Sequence, residues 1–443
     1  MPASPEAGAC GPGEGGGPRA VCCLAVRLRG LPLLLLLAAA RAEEAIPFDL
    51  QGAREEIRPE FERLLGLAYP AVVARMRERF GIEPTTTRPF RVLVVAEADE
   101  MRVFQSQGGL RDVDTLLGGF VNPITNDAVL LARTWPGSAA APNALPLGDA
   151  KATLHEAVHQ VFMRTRVGRN LPWWYREGVA DLWADRILER DRGVSWCRMS
   201  HIPQLRAALA KEGGLSPSRI LGLDPATIQG PLEYACAWSL LATLDSRFPE
   251  VLQRFEGSLD GRADPVDHLA LCGGEERLAA AWREFILADD APWYARGSRV
   301  GGDRDALWLA PARGEIDWLR VGRPLTLSGA QVAFTARVAQ GTQLALYLSE
   351  ESREWSAWAL IEGDCGVLEA SWGGKSRGAW GRGRGPGIWK VVLSLTPQAV
   401  RLAVEGLGVL EVAVPEPLDP PLRLDVGVKA GCAALSPPVV EGG

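Results

Sequence analysis

Near residue 300 the spacing of apolar residues changes from helical to alternating, which reads as a change of domain. Before that point apolar residues recur at helical spacing. Residues 54–80 place Ile57, Phe61, Leu64, Leu65, Ala68, Val72, Val73, Met76 and Phe80 along one face, and Pro70 predicts a kink or split in that helix. Residues 90–96 and 128–132 are short apolar, β-branched runs that read as strands. Asp99 and Asp149 are predicted to cap helices, and Leu171-Pro172 opens another that runs to about Arg190. Further helices are predicted over 202–211, 234–247 and 275–287. From Leu325 onward, short alternating runs separated by Gly and Pro take over, at 332–338, 343–348, 357–362, 389–395, 400–405 and 410–414. Regular short strands of this kind predict a β-sandwich, with 373–387 as a basic, glycine-rich loop. The chain therefore reads as an α+β domain over 43–300 followed by an all-β sandwich over 301–443.

Residues 1–42 stand apart from both. Arg19, Arg27 and Arg29 precede an apolar run over 31–40, and Ala40-Arg41-Ala42 supplies a small-x-small cleavage site. A bilayer span needs about twenty apolar residues, roughly twice this run. The segment reads as a cleaved secretory signal peptide, the alternative being an uncleaved anchor. The predicted destination is the periplasm, the cell surface or the extracellular space. No other stretch is long and apolar enough to span a membrane. A net charge of −6, with no basic helix, gives nucleic-acid binding no support. Of the eight cysteines, Cys197, Cys236, Cys272, Cys365 and Cys432 follow the leader. Export permits disulfides, and an odd count leaves at least one thiol unpaired. Cys365 with Cys432, and Cys197 with Cys236 or Cys272, are candidate pairs; five buried thiols is the other reading.

The chemistry concentrates in His155-Glu156-Ala157-Val158-His159. Residues four apart on a helix share a face, so both imidazoles can reach one ion. Glu156 lies about 100° round the helix, near enough to touch a metal-bound water without ligating the metal. With four histidines in 443 residues, such a pattern arises by chance on the order of a few times in a thousand, which favours a site over a solvated face. A catalytic zinc needs a third protein ligand and an open position. Glu177, separated from His159 by seventeen residues and placed on the next helix, is the best candidate. Asp181, one turn further on, could accept the free N–H of a ligand histidine, or be a surface charge.

His155-Glu156-x-x-His159 followed by Leu171, Pro172, Trp174, Glu177, Gly178 and Ala180 resembles the gluzincin metallopeptidases, closest to the peptidase MA-like families. The resemblance covers roughly residues 85–250. It implies a zincin-like fold and one Zn2+ held by His155, His159 and Glu177, with Glu156 as general base in peptide-bond hydrolysis. It extends to Asp181, and it makes strand 128–132 a candidate edge for pairing with an extended substrate. Related families often carry a tyrosine where Tyr234 stands; that residue is either an oxyanion donor or a core aromatic. His201 is the rival donor, and otherwise an ordinary loop or helix-start histidine. His268 reads as a solvent-facing or core histidine. Trp173, Trp174 and Tyr175 either wall the cleft or pack the two metal-bearing helices together.

The order of strands over 389–395, 400–406 and 424–431 resembles the concanavalin A-like jelly-roll domains of exported proteins, over roughly 305–440. Such modules often bind carbohydrate. Trp355, Trp358, Trp372, Trp380 and Trp389 could stack on sugar rings or fill the sandwich core. No paired carboxylates suggest glycoside hydrolysis. The leading expectation is a secreted zinc metallopeptidase acting on peptide or protein substrates. Its rival is a catalytically silent exported protein whose sandwich binds carbohydrate or a surface partner.

Overall fold

The computed structural model describes residues 46–441, apart from 108–117, 133–144, 170, 212–213, 225–229, 260–267, 297–299, 311–315, 323–324, 326–328, 351–354, 363–364, 373–374, 383–386, 407, 414–420 and 431. The leader read over 1–42 lies outside the described residues. Residues 45–443 form one compact unit.

Its first part is α+β. Strands β1 (Phe48–Gln51), β2 (Phe90–Val95), β3 (Gly119–Val121) and β4 (Ala128–Leu131) form a sheet in the order β1-β2-β4-β3. The first three in that order are parallel, and β3 runs antiparallel to β4. Strand β4 is thus interior, with all four of its residues buried. The sheet edge expected at 128–132 belongs instead to β3, a strand too short and glycine-marked to announce itself.

Helix α1 (Arg58–Phe80) runs unbroken through Pro70. Phe61, Leu64, Leu65 and Ala68 before the proline, and Val72, Val73 and Met76 after it, are all buried, so packing on both sides outweighs the one hydrogen bond proline removes. The helix ends at Gly81 in the left-handed region, its N–H donating to the Arg77 carbonyl at 3.0 Å. Short α2 (Ala98–Gln107) leads to α3 (Leu147–Met163), α4 (Trp173–Arg192), α5 (Trp196–Leu209) and α6 (Pro217–Leu221). Then come α7 (Pro231–Arg247), α8 (Pro249–Leu259), α9 (His268–Leu271) and α10 (Glu275–Leu287). Asp99 and Asp149 lie in the first turns of α2 and α3 rather than capping them. Pro146, extended at ψ 148°, precedes α3 and starts the helix two residues before Asp149.

Strands β5 (Trp293–Arg296), β6 (Val300–Gly302), β7 (Leu307–Leu309), β8 (Asp317–Val321), β9 (Gln331–Val338) and β10 (Gln343–Glu350) open the second part. It continues with β11 (Trp355–Glu362), β12 (Cys365–Trp372), β13 (Lys375–Arg382), β14 (Gly387–Thr396) and β15 (Ala399–Val404). It ends with β16 (Gly408–Ala413), β17 (Leu422–Ala430), β18 (Ala433–Leu435) and β19 (Val439–Glu441). Two antiparallel sheets result, ordered β13-β12-β11-β10-β17-β8-β5 and β16-β15-β14-β9-β18-β7-β6, with β19 also on β9. They face each other. Leu346, Leu348, Ala357, Ala359 and Leu424 of one sheet, with Leu393, Val400 and Leu402 of the other, line a common cavity. The loop expected over 373–387 is largely strand β13, paired with β12 from Lys375↔Trp372 to Arg382↔Cys365. Strand β5 joins these sheets ahead of residue 301, and β6 straddles it.

Candidate metal centre

Helices α3 and α4 carry the site. Both pack into the core along apolar stripes, and their few buried polar side chains converge. His155, Glu156 and Glu177 are 7%, 6% and 7% exposed. The Nε2 atoms of His155 and His159 lie 2.9 Å apart. Glu177 Oε2 is 3.2 Å from His159 Nε2 and 3.4 Å from His155 Nε2. A tetrahedral ion with arms of about 2.0–2.2 Å separates its ligand atoms by about 3.3–3.5 Å, so the triangle matches that demand to within a few tenths of an ångström. Two imidazoles and one carboxylate are also a borderline-soft donor set of the kind zinc takes. The residues present therefore fit such an ion.

Two of the three side chains, His155 and Glu177, are held from behind. His155 directs Nδ1 at Asp181 Oδ1, which fixes that nitrogen as an N–H and makes Nε2 the atom that would meet an ion. Lys151, one turn before His155, reaches the same carboxylate oxygen. The Nε–H of Arg176 donates to Glu177 Oε1 at 3.0 Å, leaving Oε2 for the imidazoles. Burial opposes ionisation of Glu177, yet the imidazoles of His159 and His155 hold its carboxyl well below the usual range. For Asp181 burial is again opposed and overcome, by Lys151 and His155. Burial raises the Glu156 carboxyl, with His155 and His159 pulling the other way. Its proton affinity is thereby moved toward that of a working base.

Strand β3 crosses close to Glu156. A Cβ built on Gly119 would lie 2.8 Å from Glu156 Cγ and 2.8 Å from Leu130, so the strand's approach requires glycine. Tyr234 stands in the first turn of α7, half-buried, its ring edge-on to Trp173 with centroids 5.3 Å apart. Burial raises its phenol, and the carboxylates of Glu177, Asp181 and Glu156 raise it further, so it keeps a proton to donate.

Other candidates lie elsewhere. His201 is inside α5, its Nε2 3.5 Å from Asp181 Oδ2, on the carboxylate that backs His155, and not on the triangle of ligand atoms. Trp173, Trp174 and Tyr175 are buried as packing. Trp174 and Tyr175 meet Phe255 with centroids 5.3 and 5.0 Å away, and the Tyr175 hydroxyl donates to Glu256 at 2.8 Å. Cys197, Cys236 and Cys272 are buried and free, so the pairings of Cys197 do not form; Cys432 is buried too. The side chains of Cys365 and His268 lie outside the described residues. Lys151, Arg176 and the β3 edge escaped the sequence reading. Only Lys151 had a signal there, its place one helical turn before His155.

No protein-family model matches the sequence, and no curated protein matches it. Solved structures similar to part of it include the apo Crh5 transglycosylase, 13% identical over 34% of this chain and 77% of that one, with a TM-score of 0.28. Another is the carbohydrate-binding module CBM66 from Bacillus subtilis, 8% identical over 35% and 98%, with a TM-score of 0.28. A third is SCLam, a non-specific endo-β-1,3(4)-glucanase from family GH16, 12% identical over 33% and 76%, with a TM-score of 0.28. Similarity at this level transfers neither fold nor activity to this chain.

Proposed function

We propose that the protein is a zinc-dependent hydrolase of peptide bonds. The observation that supports this most directly is the convergence of His155 Nε2, His159 Nε2 and Glu177 Oε2 within 2.9–3.4 Å, with buried Glu156 on the same helix. These three residues would hold the ion, and when bound it would supply Lewis acidity, bringing the pKa of water near 7 and polarising a carbonyl. Glu156 takes the proton of the attacking water and returns it to the leaving amine. Asp181 keeps His155 in the Nδ1–H tautomer. Tyr234 donates to the oxygen on which charge develops. Strand β3, last in its sheet among the described strands, offers backbone groups with which an extended substrate could pair beside Glu156. Purified protein should carry one zinc per chain and cleave unfolded casein, and Glu156→Gln should retain the metal while losing activity by at least about a thousandfold. Equal turnover by the wild type and Glu156→Gln would end this reading.

A second reading rests on the outward face of the seven-stranded sheet. Tyr347 and Trp358 are direct cross-strand partners there, and Trp358 is 36% exposed. Beside them the Trp318 ring lies over Gly427, where a Cβ would meet it at 2.4 Å. Flat, partly exposed rings on a sheet suit stacking on sugars. Trp389 is not available for this, being only 2% exposed, and the side chains of Trp355, Trp372 and Trp380 lie outside the described residues. The aromatic pair, not the likeness to carbohydrate-acting proteins, carries this reading. Glycan binding that survives Trp358→Ala would remove it.

A further inference from the structure

The polar contacts between α3 and α4 form a ladder. Lys151, His155 and His159 stand one turn apart on α3, and Glu177 and Asp181 one turn apart on α4. Lys151 reaches Asp181; His155 reaches both Asp181, through Nδ1, and Glu177, through Nε2; His159 reaches Glu177. The order along α3 is the reverse of that along α4, as two antiparallel helices in one fixed register require. A slip of one turn, about 5.4 Å, would strip Lys151 of its carboxylate in one direction and His159 of its carboxylate in the other.

Lys151 is the rung that metal binding does not explain. Its side chain is 14% exposed, and an ammonium in such a place is costly unless paired. Asp181 is its partner. The other polar groups facing Asp181 are the His201 imidazole, 3.5 Å from Oδ2, and the Cys197 thiol, which together with Asp181 form a second triad within 4.8 Å. The Lys151 charge already balances that carboxylate, so the triad has no need of a cation of its own. Buried ion pairs are best attested as devices that fix register.

We propose that Lys151 is a positioning residue for the metal centre: by clamping Asp181 at one level of the α3–α4 ladder, it sets the height at which Glu177 meets His155 and His159. The inference rests on the zinc-hydrolase reading above.

The test uses the full chain, stripped of metal and titrated with zinc alone against a chromophoric chelator, and with cobalt(II) alone for its visible spectrum. Lys151→Met should bind zinc roughly 10- to 100-fold more weakly than the wild type, the loss typical when an outer partner of a ligand is removed. Its cobalt spectrum should change, and Lys151→Arg should restore both. If Lys151→Met does not fold, Lys151→Gln, which keeps a polar end but not the charge and leaves Asp181 in place, should show the same weakening. Wild-type zinc affinity with an unaltered cobalt spectrum in the folded variant overturns the inference while leaving the hydrolase reading standing. A wild type that binds no zinc removes the hydrolase reading and this inference with it.

Discussion

His155 faces two ways, and its proton is the quantity to measure. In the metal-free protein, burial and Lys151 draw its pKa down, but the Asp181 and Glu177 carboxylates outweigh them and push it up to about 9. The value lies above the ordinary 6.5. The stability this proton gives the metal-free fold is therefore complete below 6.5 and lost as pH rises through 9. A metal ion must displace that proton. Zinc binding at pH 7 should thus release close to one proton, and apparent affinity should fall about tenfold for each unit of pH below 9. Calorimetry in two buffers of different ionisation heat reads the release directly, and binding that releases no proton would rule the arrangement out. Of this neighbourhood, His155, Glu156 and His159 were plain in the sequence because their relation is local, fixed by helical spacing alone. Glu177 and Asp181 needed only one short turn to be placed. Lys151 was overlooked because a lysine on an amphipathic helix ordinarily marks the solvated face, and only tertiary structure shows it pointing inward.

Two glycines govern how closely whole elements approach the site. Gly119 lets edge strand β3 lie against Glu156. In Gly119→Ala the added methyl must displace the Glu156 side chain or the strand, and a shift of about an ångström in a catalytic base costs up to about a hundredfold. The variant should keep its zinc and lose roughly 10- to 100-fold in kcat; a kcat equal to the wild type would show that the approach of β3 does not position Glu156. Gly178 lets α4 and α7 touch. A Cβ there would meet the Ala237 carbonyl oxygen at 2.7 Å, a backbone atom that cannot rotate away. Gly178→Ala should cost about 1–3 kcal/mol by overpacking, read as a lowered Tm, and should also move Tyr234, which α7 carries. At this scale the sequence was least informative where glycine sits in strands. The alternating strands β9, β10, β14, β15 and β16 were legible, because one buried face imposes period two. Strand β13, with Gly378 and Gly381 among basic residues, has no such pattern and became strand through its pairing with β12.

The change of period near residue 300 implied two separable bodies, yet the packing joins them. Arg206 on α5 donates to the Tyr294 hydroxyl of β5 at 2.9 Å and to the Asp289 and Ile286 carbonyls at 2.6 and 3.3 Å, beyond and at the end of α10. Strand β6 packs against α3, the helix that carries both histidines. The Arg304 N–H donates to the Arg192 carbonyl at the end of α4. Charged side chains and sheet edges, whose partners lie far away in sequence, made these contacts invisible to any local reading. If they couple the two halves, neither can melt alone: calorimetry should show one transition, with calorimetric and van't Hoff enthalpies equal. Removing the Arg206 guanidinium takes a donor from the part-buried Ile286 and Asp289 carbonyls and the Tyr294 hydroxyl, at up to about 1–3 kcal/mol for each group that water does not reach. Arg206→Ala should then either lower the single Tm by several degrees or split the transition in two. A wild type that melts in two well-separated steps would show instead that the sandwich is an appended module, and that the metal helices owe it nothing.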